Sequence, residues 1–229
     1  MSVGLSILMP VYNERRTVER AIEEALVADL PLEHEVVVVD DGSTDGTSEL
    51  LAGLEWGDRT RLVSHDRNRG KGAAIRPALT AARGTYSAIL DADLEYSPQS
   101  IAALLDPLLS GDAEVVFGVR GFQSHSAYNF WYVVGNKTVN LAANLLYNTW
   151  ISDIMTCYKV MPTDLFRSLR LRESGFAIEP EITARLLRGG IRIYEVPVSY
   201  TARSRSEGKK LTALDGLRVL ATLVRCRIA

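Results

Sequence analysis

The sequence predicts an α/β fold, a single doubly wound and mostly parallel sheet, from three observations. Short apolar runs rich in β-branched residues alternate with helix-spaced apolar positions through the first half of the chain. Acidic and turn-forming residues gather where those runs end, which in such sheets is the ligand-binding edge. The 229 residues are 47% hydrophobic and 24% charged, with no repeat, low-complexity stretch or linker, so they suit one large core. A main domain over residues 1–208 with a tail helix over 209–229 as part of it is the organisation expected.

Taken in order, Leu5–Met9, Glu35–Asp40, Arg61–His65, Tyr86–Leu90 and Ala113–Gly118 read as buried strands. Val18, Ile22, Ala25 and Leu26 mark a helix between the first two. Ser97-Pro98 supplies a cap and a first-turn proline for a helix running to Leu109. The second half changes character: seven of the 17 aromatic residues fall between Phe122 and Trp150. There Asn136, Asn140, Asn144 and Asn148 recur every four residues, a polar stripe on an otherwise apolar helix. A strand at Cys157–Met161, a helix near Pro180–Arg188, a strand at Ile191–Val196 and a basic amphipathic helix from Lys209 to Ala229 complete the reading.

Several classes are excluded. A net charge of −2 removes the electrostatic footprint of a nucleic-acid binder. Two cysteines, Cys157 and Cys226, are too few for a disulfide framework and fit a reducing compartment. The start lacks a basic segment followed by a long apolar core, and no apolar run is long enough to span a bilayer, so a cytoplasmic protein is expected. Gly70-Lys71 lacks the spacing and the following hydroxyl of a P-loop. No G-x-G-x-x-G, G-x-S-x-G or H-E-x-x-H occurs, and His34, His65 and His125 form no ligand spacing.

Carboxylates remain. Asp91 and Asp93 follow a strand, with Glu95 two residues on. In extended backbone such residues share a face, so all three are expected to converge on one hard cation, Mg²⁺ or Mn²⁺. Asp40 reads as a turn cap in Asp-Asp-Gly-Ser.

The chain also resembles a known family. Pro10-x-Tyr12-Asn13-Glu14, Asp40-Asp41-Gly42-Ser43-x-Asp45-Gly46-Thr47, Asn68-x-Gly70-Lys71-Gly72 and Asp91-Ala92-Asp93 occur in the order found in family 2 glycosyltransferases of the GT-A fold. Gly118-x-Arg120, Asp153-x-x-Thr156-x-Tyr158-Lys159, Glu195-Val196-Pro197 and Tyr200-x-x-Arg203 with Glu207-Gly208-Lys209-Lys210 are similar to the dolichol-phosphate mannose synthase-like, polyprenyl-phosphate branch. The resemblance spans residues 4–215. It implies that Pro10, Tyr12 and Glu14 contact the nucleotide, that Val39 and Asp41 flank its base, and that Asp91, Ala92 and Asp93 hold the donor phosphates and metal. It further implies that Arg120 contacts donor phosphate, and that Arg203 and Lys210 clamp the phosphates from a basic loop. Arg205 competes with Arg203, and Lys209 with Lys210, because that loop is one residue longer than in relatives. Glu181 and Asp153 match acidic positions beside the acceptor. Cys157 stands where the family has glycine.

The implied activity is inverting, metal-dependent transfer of a hexose from a GDP- or UDP-sugar to polyprenyl phosphate. A phosphate acceptor is already ionised at neutral pH and needs no strong general base. The alternatives are a small-molecule acceptor and an inactive sugar-nucleotide-binding subunit. A lipid acceptor brings an expectation of peripheral contact with the cytoplasmic membrane face. Leu214, Leu217, Leu220, Val224 and Ile228 form one apolar stripe of the tail, bordered by Arg218 and Arg225. Tyr128, Trp131, Tyr132, Tyr147 and Trp150 are the interfacial aromatics.

Overall fold

The computed structural model describes residues 3–120, 130–201, 203 and 213–228. Seven strands, β1 (Leu5–Val11), β2 (His34–Asp40), β3 (Thr60–Ser64), β4 (Tyr86–Ile89), β5 (Val115–Arg120), β6 (Lys159–Pro162) and β7 (Ile193–Val198), form one sheet. Their order is β3-β2-β1-β4-β6-β5-β7. All pairings are parallel except those of β6, which runs antiparallel to both β4 and β5. Every residue of β2, and all but Pro10 of β1, is buried, as expected of parallel strands covered on both faces. From β1 the chain winds outward through β2 and β3, then returns to the opposite side of β1 as β4. That reversal opens a crevice at the carboxyl ends of β1 and β4, and the ligand edge lies there.

The helices are α1 (Val18–Leu26), α2 (Thr47–Gly53), α3 (Lys71–Ala81), α4 (Ser100–Leu109), α5 (Phe130–Tyr147), α6 (Thr163–Ser168), α7 (Ile178–Arg188) and α8 (Ala213–Ile228). Periodicity does not reveal α3, because Gly72, Ala73, Ala74, Ile75, Ala78 and Leu79 bury it on most sides and Pro77 interrupts the pattern. Its entry depends on glycine. At Gly70 φ is +95°, and a Cβ there would lie 2.4 Å from the Ser174 carbonyl oxygen. A Cβ on Gly72 would lie 2.3 Å from the Glu173 carbonyl oxygen. Only glycine lets the start of α3 press against the loop before α7.

A second apolar cluster joins α5, α7 and α8 through Val139, Ala143, Ala184, Val219, Leu223 and Cys226. The tail helix docks by Val219, Thr222, Leu223 and Cys226; of the sequence stripe, Leu220 packs against this cluster while Leu217, Val224 and Ile228 face outward. Tyr147 is not a free interfacial ring: its hydroxyl donates to the Leu223 carbonyl at 2.8 Å. Tyr128 and the side chains of Trp131, Tyr132 and Leu214 lie outside the described residues.

The asparagine stripe acts as a clasp. Asn144 Nδ2 donates to the Ile151 carbonyl at 3.1 Å, and its Oδ1 accepts the Ile151 amide at 2.8 Å. Asn140 accepts the Ile154 amide at 3.1 Å and donates to the Ser152 carbonyl, while Asn136 Nδ2 reaches Asp153 at 3.3 Å. Residues 151–154 are thereby held along α5. Replacing the buried Asn140 by Ala leaves two backbone groups unsatisfied and should cost about 2 kcal/mol, measured by urea unfolding. An unchanged midpoint would show that the clasp is dispensable.

Candidate active site

A cavity of about 380 Å³ opens at the carboxyl edge of the sheet. The end of β1 supplies Pro10, Tyr12 and Glu14, the end of β2 Asp41, and the end of β4 Asp91, Ala92, Asp93 and Glu95. Arg120 terminates β5, and the segment after β7 adds Tyr200 and Arg203. These eleven residues, all quoted from the sequence above, therefore line one cavity. Val39 does not: it is fully buried in β2, inside the core. Lys210, Lys209 and Arg205 lie outside the described residues.

The two aspartates after β2 divide the work. Asp40 is the turn cap, accepting the Ser43 amide at 3.1 Å and the Ser43 hydroxyl at 2.6 Å. Asp41 accepts from His65 Nδ1 at 2.7 Å and from the amides of Arg69 and Gly70 at 2.9 and 2.6 Å. It thereby fixes the loop leading into α3 while lining the cavity.

After β4 the backbone is not extended. Residues 92–95 turn, Leu94 has φ +59°, and Asp93 Oδ1 accepts the Glu95 amide at 3.0 Å. Asp91, Asp93 and Glu95 therefore do not alternate along an extended strand as expected, and no group of three potential ligands forms a metal cluster among the described residues. Glu95 instead staples the segment after β7. Its oxygens accept from the Tyr200 hydroxyl and from the Arg203 amide, both at 2.7 Å. Asp93 keeps negative company: burial, then the charges of Asp91 and Glu95, push its pKa up to about 7.

Asp91 belongs to a buried chain of alternating charge. Lys71 Nζ, at the first residue of α3, sits 2.7 Å from Asp91 Oδ2 and 2.9 Å from Glu179 Oε1. Glu179 in turn pairs with the fully buried Lys159. Burial opposes the charge on Lys71, yet Asp91 and Glu179 outweigh it and hold its pKa well above the usual lysine range. Burial likewise opposes ionisation of Glu179, but the two lysines bring its pKa below the ordinary value. Beside them Cys157 lines the cavity, its thiol pushed up by burial and by Asp91.

Two further pairs frame the opening. Arg120 grips Asp153 through two hydrogen bonds of 2.6 and 2.7 Å and lies 5.2 Å from the Tyr200 ring centre. Asp153 is thus a partner of Arg120, outside the cavity wall. Across the cavity, Arg203 pairs with Glu14 at 2.8 Å and reaches the Thr17 hydroxyl at 3.3 Å.

Glu181, expected beside the acceptor, is a correction. Its carboxylate accepts the amides of Arg172 and Glu173 and pairs with Arg185 at 2.7 Å, buried beneath the loop before α7. The carboxylate of α7 that reaches the cavity is Glu179, two residues earlier and so on nearly the opposite side of the helix. Lys71 and Glu179 line the cavity without having been assigned a role from the sequence. The Gly70-Lys71-Gly72 signal pointed to the first of them.

The family model described as glycosyl transferase family 2 matches residues 6–170. The chain is 30% identical over 213 residues to the polyprenol monophosphomannose synthase of Mycolicibacterium smegmatis, a match covering 89% of this chain and 79% of that one. It is 29% identical over 229 residues to the undecaprenyl-phosphate 4-deoxy-4-formamido-L-arabinose transferase of Pseudomonas fluorescens, covering 97% of this chain and spanning 64% of that protein. The glucosyl-3-phosphoglycerate synthase of Mycobacterium tuberculosis, solved with Mn²⁺, UDP and glucosyl-3-phosphoglycerate, superposes with a TM-score of 0.72. That match has 22% identity over 98% of this chain and 80% of that one, and shows the shared GT-A fold.

The raised Asp93 has a consequence for stability. As pH rises from 3.8 towards 7 the unfolded chain gives up this proton first, so the folded state loses ground and stays penalised above 7. Asp93→Asn should therefore raise the unfolding temperature at pH 8 by several degrees and by much less at pH 4. Equal shifts at both pH values would show that Asp93 is not under electrostatic strain.

Proposed function

The chain belongs to glycosyl transferase family 2 and is a glycosyltransferase, and we propose that it transfers a hexose from a GDP- or UDP-sugar to a polyprenyl phosphate, inverting the anomeric carbon with the aid of a divalent cation. The observation that carries this reading is the charge layout of the cavity. Asp91 and Asp93 line it together with Lys71, Arg120 and Arg203. A diphosphate together with a hard cation complements that layout.

The donor set fits such a cation. It offers only oxygen, and where burial and then the charges of Asp91 and Glu95 push Asp93 to about 7, a positive ion would offset those charges. Asp91 and Asp93 would hold it, the diphosphate and water filling its other positions. When bound it would neutralise charge growing on the departing nucleoside diphosphate.

The remaining roles follow from the chain's own residues. Arg120, braced by Asp153, and Arg203, drawn from Glu14, would take the phosphate oxygens. Pro10, Tyr12 and Glu14 would border the nucleotide, with Asp41 near its base. An acceptor phosphate oxygen would attack the anomeric carbon directly while the diphosphate leaves from the other side, so positioning carries most of the rate. Support for the lipid acceptor comes from the names of the Mycolicibacterium and Pseudomonas relatives. A lipid acceptor brings peripheral membrane contact with it.

The test is incubation with labelled GDP- and UDP-sugars and a short-chain polyprenyl phosphate, with and without Mn²⁺, beside small phosphorylated acceptors. Labelled lipid is expected only with metal, and Asp93→Ala should lower the rate by about 10²-fold or more, several kcal/mol of barrier. Mn²⁺ should also raise the wild-type unfolding temperature at pH 8 but not that of Asp93→Asn. Label on a small acceptor alone would overturn the lipid reading. Full activity in EDTA would overturn the cation.

A further inference from the structure

We infer that the outward faces of α5 and α8 together form a docking surface for an anionic lipid bilayer. The inference rests on the polyprenyl-phosphate reading for its purpose and on these two helices for its substance. Seven of the ten exposed large hydrophobic side chains among the described residues lie on α5, on α8 or at Trp150 just beyond α5. Leu141 and Leu145 share one outward stripe, and Trp150 follows with 83% of its surface exposed. On α8, Leu217, Val224 and Ile228 share another, and Ile228 is 81% exposed.

These stripes are surplus to folding. Each helix already packs by its opposite face, α5 through Val139 and Ala143, and α8 through Val219, Leu223 and Cys226. The two helices touch, with Tyr147 of α5 bonded to the Leu223 carbonyl and Arg227 lying 5.8 Å from the Tyr147 ring centre. The apolar stripes are thus carried by neighbouring helices of one layer.

Charge selects the occupant. The one charged residue of α5 is Lys137, and α8 carries Arg218, Arg225 and Arg227 against a single acid, Asp215. The chain as a whole is net −2, whereas these two helices together carry four cations against one acid. Arg225 pairs with Glu173, and Arg188 adds a further cation beside the end of α8. Apolar side chains flanked by arginines suit the headgroup level of an anionic membrane. A second copy of the chain is disfavoured, because a two-fold contact would set like charges against each other.

The experiment is flotation of the full chain with vesicles of phosphatidylcholine, with and without phosphatidylglycerol, while following tryptophan emission. Binding to the anionic vesicles alone, a blue shift abolished by Trp150→Phe, and release by high salt are expected. The double variant Leu145→Gln/Ile228→Gln should cut the bound fraction roughly fivefold and leave transfer to a water-soluble short-chain polyprenyl phosphate unchanged. No flotation with anionic vesicles at low salt, or equal flotation of the double variant, overturns the inference. So does a dimer dissolved by these substitutions in a chain that does not float. Short-chain transfer without flotation overturns the surface and leaves the acceptor standing; flotation without any transfer does the reverse.

Discussion

The buried chain of alternating charge from Asp91 through Lys71 and Glu179 to Lys159 is the constraint on which the cavity depends. Taken out of water singly, each of these ions would cost several kcal/mol; in series each is flanked by opposite charge. The four come from the end of β4, the start of α3, the first turn of α7 and the start of β6. One electrostatic thread therefore fixes the relative placement of four elements around the ligand edge. Asp93 stands outside that balance: burial and the charges of Asp91 and Glu95 raise its pKa, and Arg203 only partly opposes them.

The glycines of α3 and the asparagines of α5 serve the same end by other means. Gly70 and Gly72 let backbone touch backbone, bringing the loop before α7, and with it Glu179, up to Lys71. The asparagine ladder fixes Ile151–Ile154, and Asp153 within that stretch orients Arg120. Packing and hydrogen bonding thus set the cavity wall before any ligand arrives.

The sequence made the strands legible because both faces of β1 and β2 are buried, leaving uninterrupted apolar runs. The acidic strand ends were legible for the same reason, as polar residues interrupting those runs. Elements whose burial is not one-sided were not: α3 is hidden on most faces and carries no stripe. The carboxylates of α7 could not be told apart by type alone. Glu179 and Glu181 differ by a helix rotation of roughly 200°, which only the docked helix resolves. Glu95 was misread because the backbone after Asp91 turns at Leu94, where a left-handed residue breaks the two-residue period. The stripe of α8 was legible as a stripe, but not that Leu220 of it packs inward with Val219 and Leu223 while Leu217, Val224 and Ile228 stay exposed.

The Glu14–Arg203 pair turns entry to the cavity into an exchange of ions. An anion that reaches the Arg203 guanidinium meets it already paired with Glu14, so what is gained by taking it over is a difference between two charge pairs and not the full strength of one. The same carboxylate remains close by to reclaim the arginine afterwards. A tightly held leaving group would stall turnover; a resident competitor sets a ceiling on that hold.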